Sequence, residues 1–419
     1  MALTCPVHEV DLYDMDQYQL AMPLEKWARL RAEEPVFHHP DPEQPHGFWA
    51  VTSHADVEFV SRNPEIFSSS VRGSLSTEIP EEDLQLTKTL LINMDAPEHT
   101  RQRGLVNRGF TPRLIGKLEE RIGNVCEEII DTAVGKGEGD FVTLCSAELP
   151  LIVICELMGV PQEDRHKVFA WSNKMIGHDD PEFGNDREVS QIAMTEMFMY
   201  ANELAEVKRK QLQDDIVSKL LTPDEAGEVL SELEFDIFFL LLAVAGNETT
   251  RNALSGGMRA LIENPDQWAR LKADPSLVPF AADEIVRWVS PVMQFRRTAT
   301  RDVELGGKQI KAGDKILIYY PSANRDEKVF ENPNTFDVGR NPNPHLGFGG
   351  GGPHFCLGRH QAKLELEQML RALIERVEKV EITGEVRRLR SNFINGIKEM
   401  PVRFTPEADL QQSTPVASA

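Results

Sequence analysis

Cys356 lies near the end of "GFGGGGPHFCLG", residues 347–358, where five of the first six residues are glycine. Three chemistries suit a sulfur beside so free a backbone. The first is a phosphate cradle, because Gly347, Gly349 and Gly352 satisfy G-x-G-x-x-G. That fingerprint needs a strand before it and a helix opening on its last glycine. Here Pro342 and Pro344 precede it, Pro353 follows, and no Lys-Ser/Thr pair comes after it. The second is a glycine-rich surface turn whose thiol is simply a small buried hydrophobe. The third is a thiolate bound to the metal of a flat cofactor. Such a sulfur needs backbone N–H groups around it, and glycines let the chain approach a planar macrocycle without Cβ collisions.

The stretch "FFLLLAVAGNETT", residues 238–250, holds a second contradiction. A helix apolar on all faces belongs in a core, yet Ala245 is followed by Gly246, Asn247, Glu248, Thr249 and Thr250. Burying a carboxylate there is costly unless something satisfies it. Either this face emerges into solvent, or it forms a groove. In the groove reading Gly246 removes bulk beside a ligand, and Glu248 and Thr249 relay protons and hold water. Thr hydroxyls also back-bond the preceding helical turn.

Glu284 and Arg287 in "DEIVRW" stand one helical turn apart. Such a pair is surface decoration or the anchor of a loop. His99 and Arg103 in "APEHTRQR" share one helical face. Alone they make a solvated basic face; with Arg297 and His354 they make a clamp for carboxylates.

The elements that must position these groups are mostly helical. Pro23 opens a helix in "PLEKWARLRAEEP", and "GFWAVTSHADVEFVSRNP" gives a strand and then a helix opened by Ser53. "SSSVRGSLSTEIPEEDL" reads as a polar, mobile loop, and Pro97 to about Val134 as helical. Ser231 with Glu234 forms a capping box for the long helix. Asn264-Pro265 ends that helix, with Asn264 capping the next and Pro265 in its first turn. "VELGGKQIKAGDKILIYY" alternates, with Gly306-Gly307 in a hairpin turn. Leu357 to about Val377 is an amphipathic helix, and "RSNFINGIKEMPVRF" predicts a hairpin about Asn395-Gly396. The expected fold is mainly α with smaller β-sheets. One domain spans residues 23–406, with an irregular segment at 1–22 and a disordered tail at 407–419.

Bulk properties exclude other classes. The 419 residues are 41% hydrophobic and 27% charged, ordinary for a globular protein. A net charge of −22 argues against nucleic acid as a partner. Five cysteines without a C-x-x-C pair suggest neither a zinc site nor a disulfide scaffold and fit a reducing cytoplasm. "MALTCPVHEVDLYDMD" lacks the basic and apolar regions of a signal peptide. The apolar run Ile237 to Ala245 is far short of the ~20 residues of a membrane span.

These pieces, in this order and over nearly the whole chain, resemble the cytochrome P-450 superfamily of heme-thiolate monooxygenases. "GFGGGGPHFCLGRH" resembles its cysteine loop, which implies Cys356 as the axial iron ligand, with Phe348 and Gly358 beside the heme. "AGNETT" resembles the oxygen-binding groove, implying Ala245, Gly246 and Thr249 at the heme, with Glu248 and Thr249 as the acid–alcohol pair. "EIVR" and "FDVGR", ending at Arg340, resemble the E-x-x-R motif and its loop arginine. "HTRQR" and "RRTAT" resemble the propionate-binding segments, which implies His99, Arg103 and Arg297, with His354 in the same role. The chain departs from most of the superfamily in one respect: Phe348 lies eight residues before the cysteine, where the loop's aromatic usually lies seven before.

"RWVSPVMQFRRTATRDVELGGKQI", "YYPSANRD", "HLGFGGGG" and "SNFINGIKEMPV" resemble a bacterial subgroup that hydroxylates terminal methyls of sterol side chains and methyl-branched lipids. The substrate wall expected from this resemblance is apolar: Phe238, Phe239, Leu242, Val292, Met293, Phe295 and Phe393. The implied cofactor is heme b, iron protoporphyrin IX. The implied partners are O2, an apolar small molecule, and a ferredoxin with its reductase as electron donors, since no flavin or nicotinamide motif is seen. The donor is expected on a basic face formed by Arg359, His360 and Lys363 with Arg101, Arg108 and Arg113. Other readings are oxidation of a smaller terpene or fatty acid, peroxide-driven chemistry, and a heme-thiolate sensor. A cysteine-nucleophile hydrolase using His354 or His360 is a further alternative.

Overall fold

The long helix predicted from the capping box spans Glu232–Glu263, 32 residues. Ser231 Oγ accepts from the Glu234 N–H at 3.3 Å, and the Glu234 carboxylate accepts from the Ser231 N–H at 2.8 Å. The computed structural model describes residues 10–41, 44–111, 115–116, 118–176, 182 and 187–408. Within them this helix is the axis about which the helices Glu148–Met158, Arg187–Lys210, Val278–Val289 and Arg359–Arg376 pack. Its glycines set the closeness of that packing. A Cβ on Gly246 would lie 2.8 Å from Ile154, and one on Gly257 2.8 Å from Ile285. Asn264 does not cap the following helix; its side chain instead donates back to the Ala260 carbonyl at 2.8 Å, while Pro265 occupies the first turn as expected.

The largest sheet has five strands in the order Val36–Asp41, Gln44–Val51, Lys315–Tyr319, Gln294–Ala299, Phe67–Ser68. Gln44–Val51 runs parallel to Lys315–Tyr319, and the other pairings are antiparallel. Strand alternation then turns Phe295, Arg297 and Ala299 to one face and Gln294, Arg296 and Thr298 to the other. The hairpin Val303–Leu305 to Lys308–Ile310 turns at Gly306 and Gly307, whose φ values of 55° and 75° suit the two-residue turn read from the sequence. Among the described residues no helix is long and apolar enough to cross a membrane.

Four expectations are corrected. Residues 15–20, expected irregular, form the helix Met15–Leu20, capped by Asp14, and Tyr18 is buried against Trp27 with ring centroids 6.2 Å apart. The helix after Pro97 is interrupted: Glu98–Asn107 and Glu119–Lys136 are separate elements. No tight turn forms at Asn395-Gly396. Arg387–Arg388 pairs with Ile397–Glu399 across a longer connection, because Asn395 turns inward and donates to the Val289 carbonyl.

The fourth concerns the stretch after Ser68, expected to be a polar loop throughout: Glu81–Thr87 form a helix, and the part before it is tied at three places. Asp95 accepts from Ser68, from the Ser69 N–H at 2.9 Å and from Ser70 Oγ at 2.9 Å. Asn93 accepts from the Ser74 N–H at 2.9 Å. Glu78 meets Arg296 at 2.8 Å and Lys315 at 3.3 Å, both buried. The part of the expected tail at 409–419 lies outside the described residues, as does Arg113.

Candidate active site

The cysteine loop closes on itself. The Cys356 N–H donates to the Phe348 carbonyl at 2.9 Å, and the Gly349 N–H to Leu346 at 2.9 Å. Gly349, Gly351 and Gly352 have φ of 101°, 83° and 73°, so the turn needs residues without a Cβ. Gly352 also lies against a neighbouring helix, His54–Arg62, where a Cβ would fall 2.3 Å from the Ser61 carbonyl oxygen. The extra residue in the loop is thus accommodated by left-handed backbone and close packing on that helix. Phe348 is half-buried, its ring 5.7 Å from that of His345.

Cys356 itself is half-buried. Burial pushes its thiol up, while the Gly358 N–H, Arg103 and Arg359 pull it back. A Cβ on Gly358 would meet nothing within 4 Å, so open space lies beside that glycine, two residues after the cysteine.

Against the cysteine loop lies a cluster from three distant segments. The rings of His99 and His354 are 4.4 Å apart, and the Nε2 atom of each is buried without a partner. Burial, then the neighbouring Arg297, push His354 down to about 2, and burial and Arg103 lower His99. Both imidazoles are thus biased toward the neutral form. Arg297 is buried, and its Nη1 donates to the Arg296 carbonyl at 2.7 Å. Arg103 Nη2 donates to the Phe355 carbonyl at 2.7 Å, tying the helix Glu98–Asn107 to the cysteine loop.

On the central helix Ala245 is exposed and Thr249 half-buried, although Ala243, Asn247 and Glu248 around them are buried. That bare strip is a slot across a core helix. Thr249 Oγ1 donates to the Ala245 carbonyl at 2.8 Å, the back-bond expected of it. Gly246, expected to make room for a ligand, makes room for Ile154.

A planar macrocycle with anionic side groups fits what is present. A half-buried sulfur lies two residues before a glycine with open space beside it. Bare Ala245 and Thr249 form a slot. Two unpartnered imidazole nitrogens and two arginines would receive the carboxylates.

The expected apolar wall is brought together only in part. Val292, Phe295 and Phe393 are half-buried, Phe295 meets Phe393 edge-on at 5.6 Å, and Val292 pairs through its backbone with Ile394. Phe295 lies on the strand face that carries Arg297. Phe238 is seven residues, nearly two turns, before Ala245 and shares its helical face, but its side chain is fully buried in the core. Leu242 lies about 60° away and is buried. Phe239 lies about 120° from Ala245 and packs on Tyr200 and Phe235. Met293 is fully buried with Trp27, Phe48 and Tyr319 behind the sheet. Leu241, one turn before Ala245 and half-buried, was missed, although its spacing of four was legible.

Glu284 and Arg287 are both wholly buried and joined at 2.7 Å, with Arg340 on Glu284 at 3.1 Å. Arg287 also donates to the carbonyls of Asn324, Pro333 and Thr335, so the pair anchors the segment before the cysteine loop. Outside that loop a groove of ≈ 560 Å³ includes Phe355, Arg359, His360 and Lys363. Its basic character is weaker than the sequence suggests. Lys363 pairs with Asp283 at 2.8 Å, and Arg101, from the other half of the expected patch, pairs with Glu234.

A helical body around one long helix that carries a bare strip, together with a glycine-rich thiol loop beside two arginines and two histidines, is what a heme-thiolate protein requires. The Cytochrome P450 family profile matches residues 172–394. The chain belongs to this family and is a monooxygenase. It is 46% identical over 402 residues to the steroid C26-monooxygenase of Rhodococcus jostii, covering 94% of this chain and 84% of that one. It is 40% identical over 411 residues to the methyl-branched lipid omega-hydroxylase of Mycobacterium tuberculosis, covering 96% of each. A Mycobacterium marinum cytochrome P450 in complex with pseudoionone superposes with a TM-score of 0.88 at 38% identity, over 96% of this chain and 100% of that one.

Proposed function

We propose that this monooxygenase hydroxylates the terminal methyl of a sterol-ketone side chain or a methyl-branched lipid, with heme b held by Cys356. The observation that carries the substrate reading is the half-buried trio Val292, Phe295 and Phe393, of which Phe295 shares a strand face with Arg297 and meets Phe393 edge-on. The names of the relatives at 46% and 40% identity support the same position of attack. When bound, the heme iron supplies activation of O2 and transfer of one oxygen atom to a C–H bond.

The protein's own groups do the rest. His99, Arg103, Arg297 and His354 orient the carboxylates of the macrocycle. The Gly358 N–H holds negative charge on the sulfur. Thr249 holds water in the slot, and Glu248 takes up protons and passes them to it. A terminal C–H bond is stronger than an internal one, so attack there requires a channel that admits only the chain end. The trio supplies that channel, and the tied loop after Ser68 covers its mouth.

Electrons are proposed to come from a ferredoxin and its reductase, at the groove that includes Arg359, His360 and Lys363. The cysteine usage is consistent with a cytoplasmic setting.

Titration of the ferric protein with a sterol ketone, a methyl-branched fatty acid and a monoterpene tests the substrate. The first two should shift the heme spin state. Shifts with the monoterpene alone would overturn the substrate reading. Cys356→Ser should lose the red-shifted Soret band of the reduced carbon monoxide complex, and survival of that band would overturn the ligand.

A further inference from the structure

Two glutamate–arginine pairs of the same spacing, each with a buried carboxylate, are built differently. In Glu284 both oxygens are saturated. Oε1 accepts from Arg287 Nη2 at 2.8 Å and from the Asp337 N–H at 2.9 Å, and Oε2 from Arg287 Nε at 2.7 Å and Arg340 Nε at 3.1 Å. A buried pair is tolerable when its geometry and extra hydrogen bonds repay desolvation. Glu248 and Arg251, also three apart, are left half open. Glu248 Oε2 accepts from Arg251 Nη2, while Glu248 Oε1 and Arg251 Nε are buried with no partner. Among the described residues the Arg251 guanidinium makes its hydrogen bonds and ion pairs to Glu248 alone. As a structural tie this is a poor one.

Helical phase shows what the pair does instead. Taking Ala245 as the centre of the bare strip, Thr249 lies about 40° to one side, Glu248 about 60° to the other and Arg251 about 120° to that same side. Arg251 therefore draws Oε2 to the flank away from Thr249. The backbone beneath is fixed separately, since Asn252 Nδ2 donates to the Glu248 carbonyl at 2.8 Å.

We infer that Arg251 is a positioning residue for proton delivery, holding Glu248 by Oε2 so that Oε1 is the oxygen that takes up and hands on each proton. This rests on the Glu248–Thr249 relay proposed above. In one cycle a proton from water binds Oε1 and leaves toward Thr249, and the carboxylate returns to its charged, Arg251-paired form. No electrons move at these residues. Electrostatics agree: burial pushes the Glu248 carboxyl up, and Arg251 pulls it back down.

The test is infrared titration of the Glu248 carboxyl in the heme-loaded protein, isolated as the difference from Glu248→Gln, with electron coupling measured in parallel. In Arg251→Gln the carboxyl should stay protonated about 1–3 pH units higher than in wild type. The share of electrons reaching product should fall about tenfold or more, with substrate affinity and the carbon monoxide spectrum unchanged. Arg251→Lys, which keeps the charge, should shift the same way by less, and serves alone if Arg251→Gln does not fold. A carboxyl titration or coupling indistinguishable from wild type in the Arg251 variants, with coupling lost in Glu248→Gln, would overturn the inference and leave the relay standing. Full coupling in Glu248→Gln would overturn the relay itself.

Discussion

His99 and His354, separated by 255 positions in the sequence, bring their rings to 4.4 Å with both Nε2 atoms buried and unpartnered. Two such atoms beside Arg297 are costly unless a ligand receives them. Arg297→Gln should therefore speed heme loss by about 10- to 100-fold, the equivalent of one charge-assisted hydrogen bond of about 1.5–3 kcal/mol. Transfer of heme to apomyoglobin measures it, and an unchanged rate would separate Arg297 from the cofactor.

Glu284→Ala should cost about 3–5 kcal/mol of stability, because it leaves Arg287 and Arg340 buried without their carboxylate. Urea unfolding of the apoprotein would show the loss without relying on the cofactor. A change below about 1 kcal/mol would mean that the arginines find other partners.

Glu365 gives the stability its alkaline slope. It is wholly buried on the helix Arg359–Arg376, its Oε1 accepts from Gln361 at 2.9 Å, and its Oε2 has no partner. Burial pushes its carboxyl up to about 8. The folded state therefore binds a proton that the unfolded chain has released. The contribution is full below the unfolded value, near 4.5, and is lost as pH rises to about 8, at roughly 1.4 kcal/mol per unit. Glu365→Gln should flatten unfolding free energy against pH across that window. A wild-type slope in the variant would place the titration elsewhere.

The parts of this molecule legible in its sequence are those governed by local chemistry. Ser53 and Ser231 cap the helices they were expected to cap, Gly306-Gly307 turns its hairpin, and His99, Arg103, Arg297 and His354 converge as a clamp would require. The misses are matters of phase and long-range partnership. "FFLLLAVA" is apolar all round, so its composition does not separate the residues; helical spacing from Ala245 does, but that Phe239 packs on Tyr200 needs the long-range partner. Met293 and Phe295 differ by two residues, yet Met293 precedes the strand and is carried behind the sheet. Ser68, Ser69 and Ser70 look like a loose linker until Asp95, 25 or more residues on, gathers all three.

Val292 and Phe393 should set the position of attack. Val292→Ala widens the corner beside Phe295 and should move oxidation inward along the chain. A change of about 1.4 kcal/mol in relative barriers alters the product ratio tenfold. Product analysis by mass spectrometry would show the shift, and an unchanged ratio in both Val292→Ala and Phe393→Ala would remove the corner from the channel.

The most direct test of the whole account is the position of the hydroxyl on the product that the wild-type enzyme, supplied with ferredoxin, its reductase and O2, makes from a sterol ketone carrying an intact side chain. Nuclear magnetic resonance of the purified product should show a new primary alcohol at the chain terminus. A secondary or tertiary alcohol, or hydroxylation of the ring system, would contradict it.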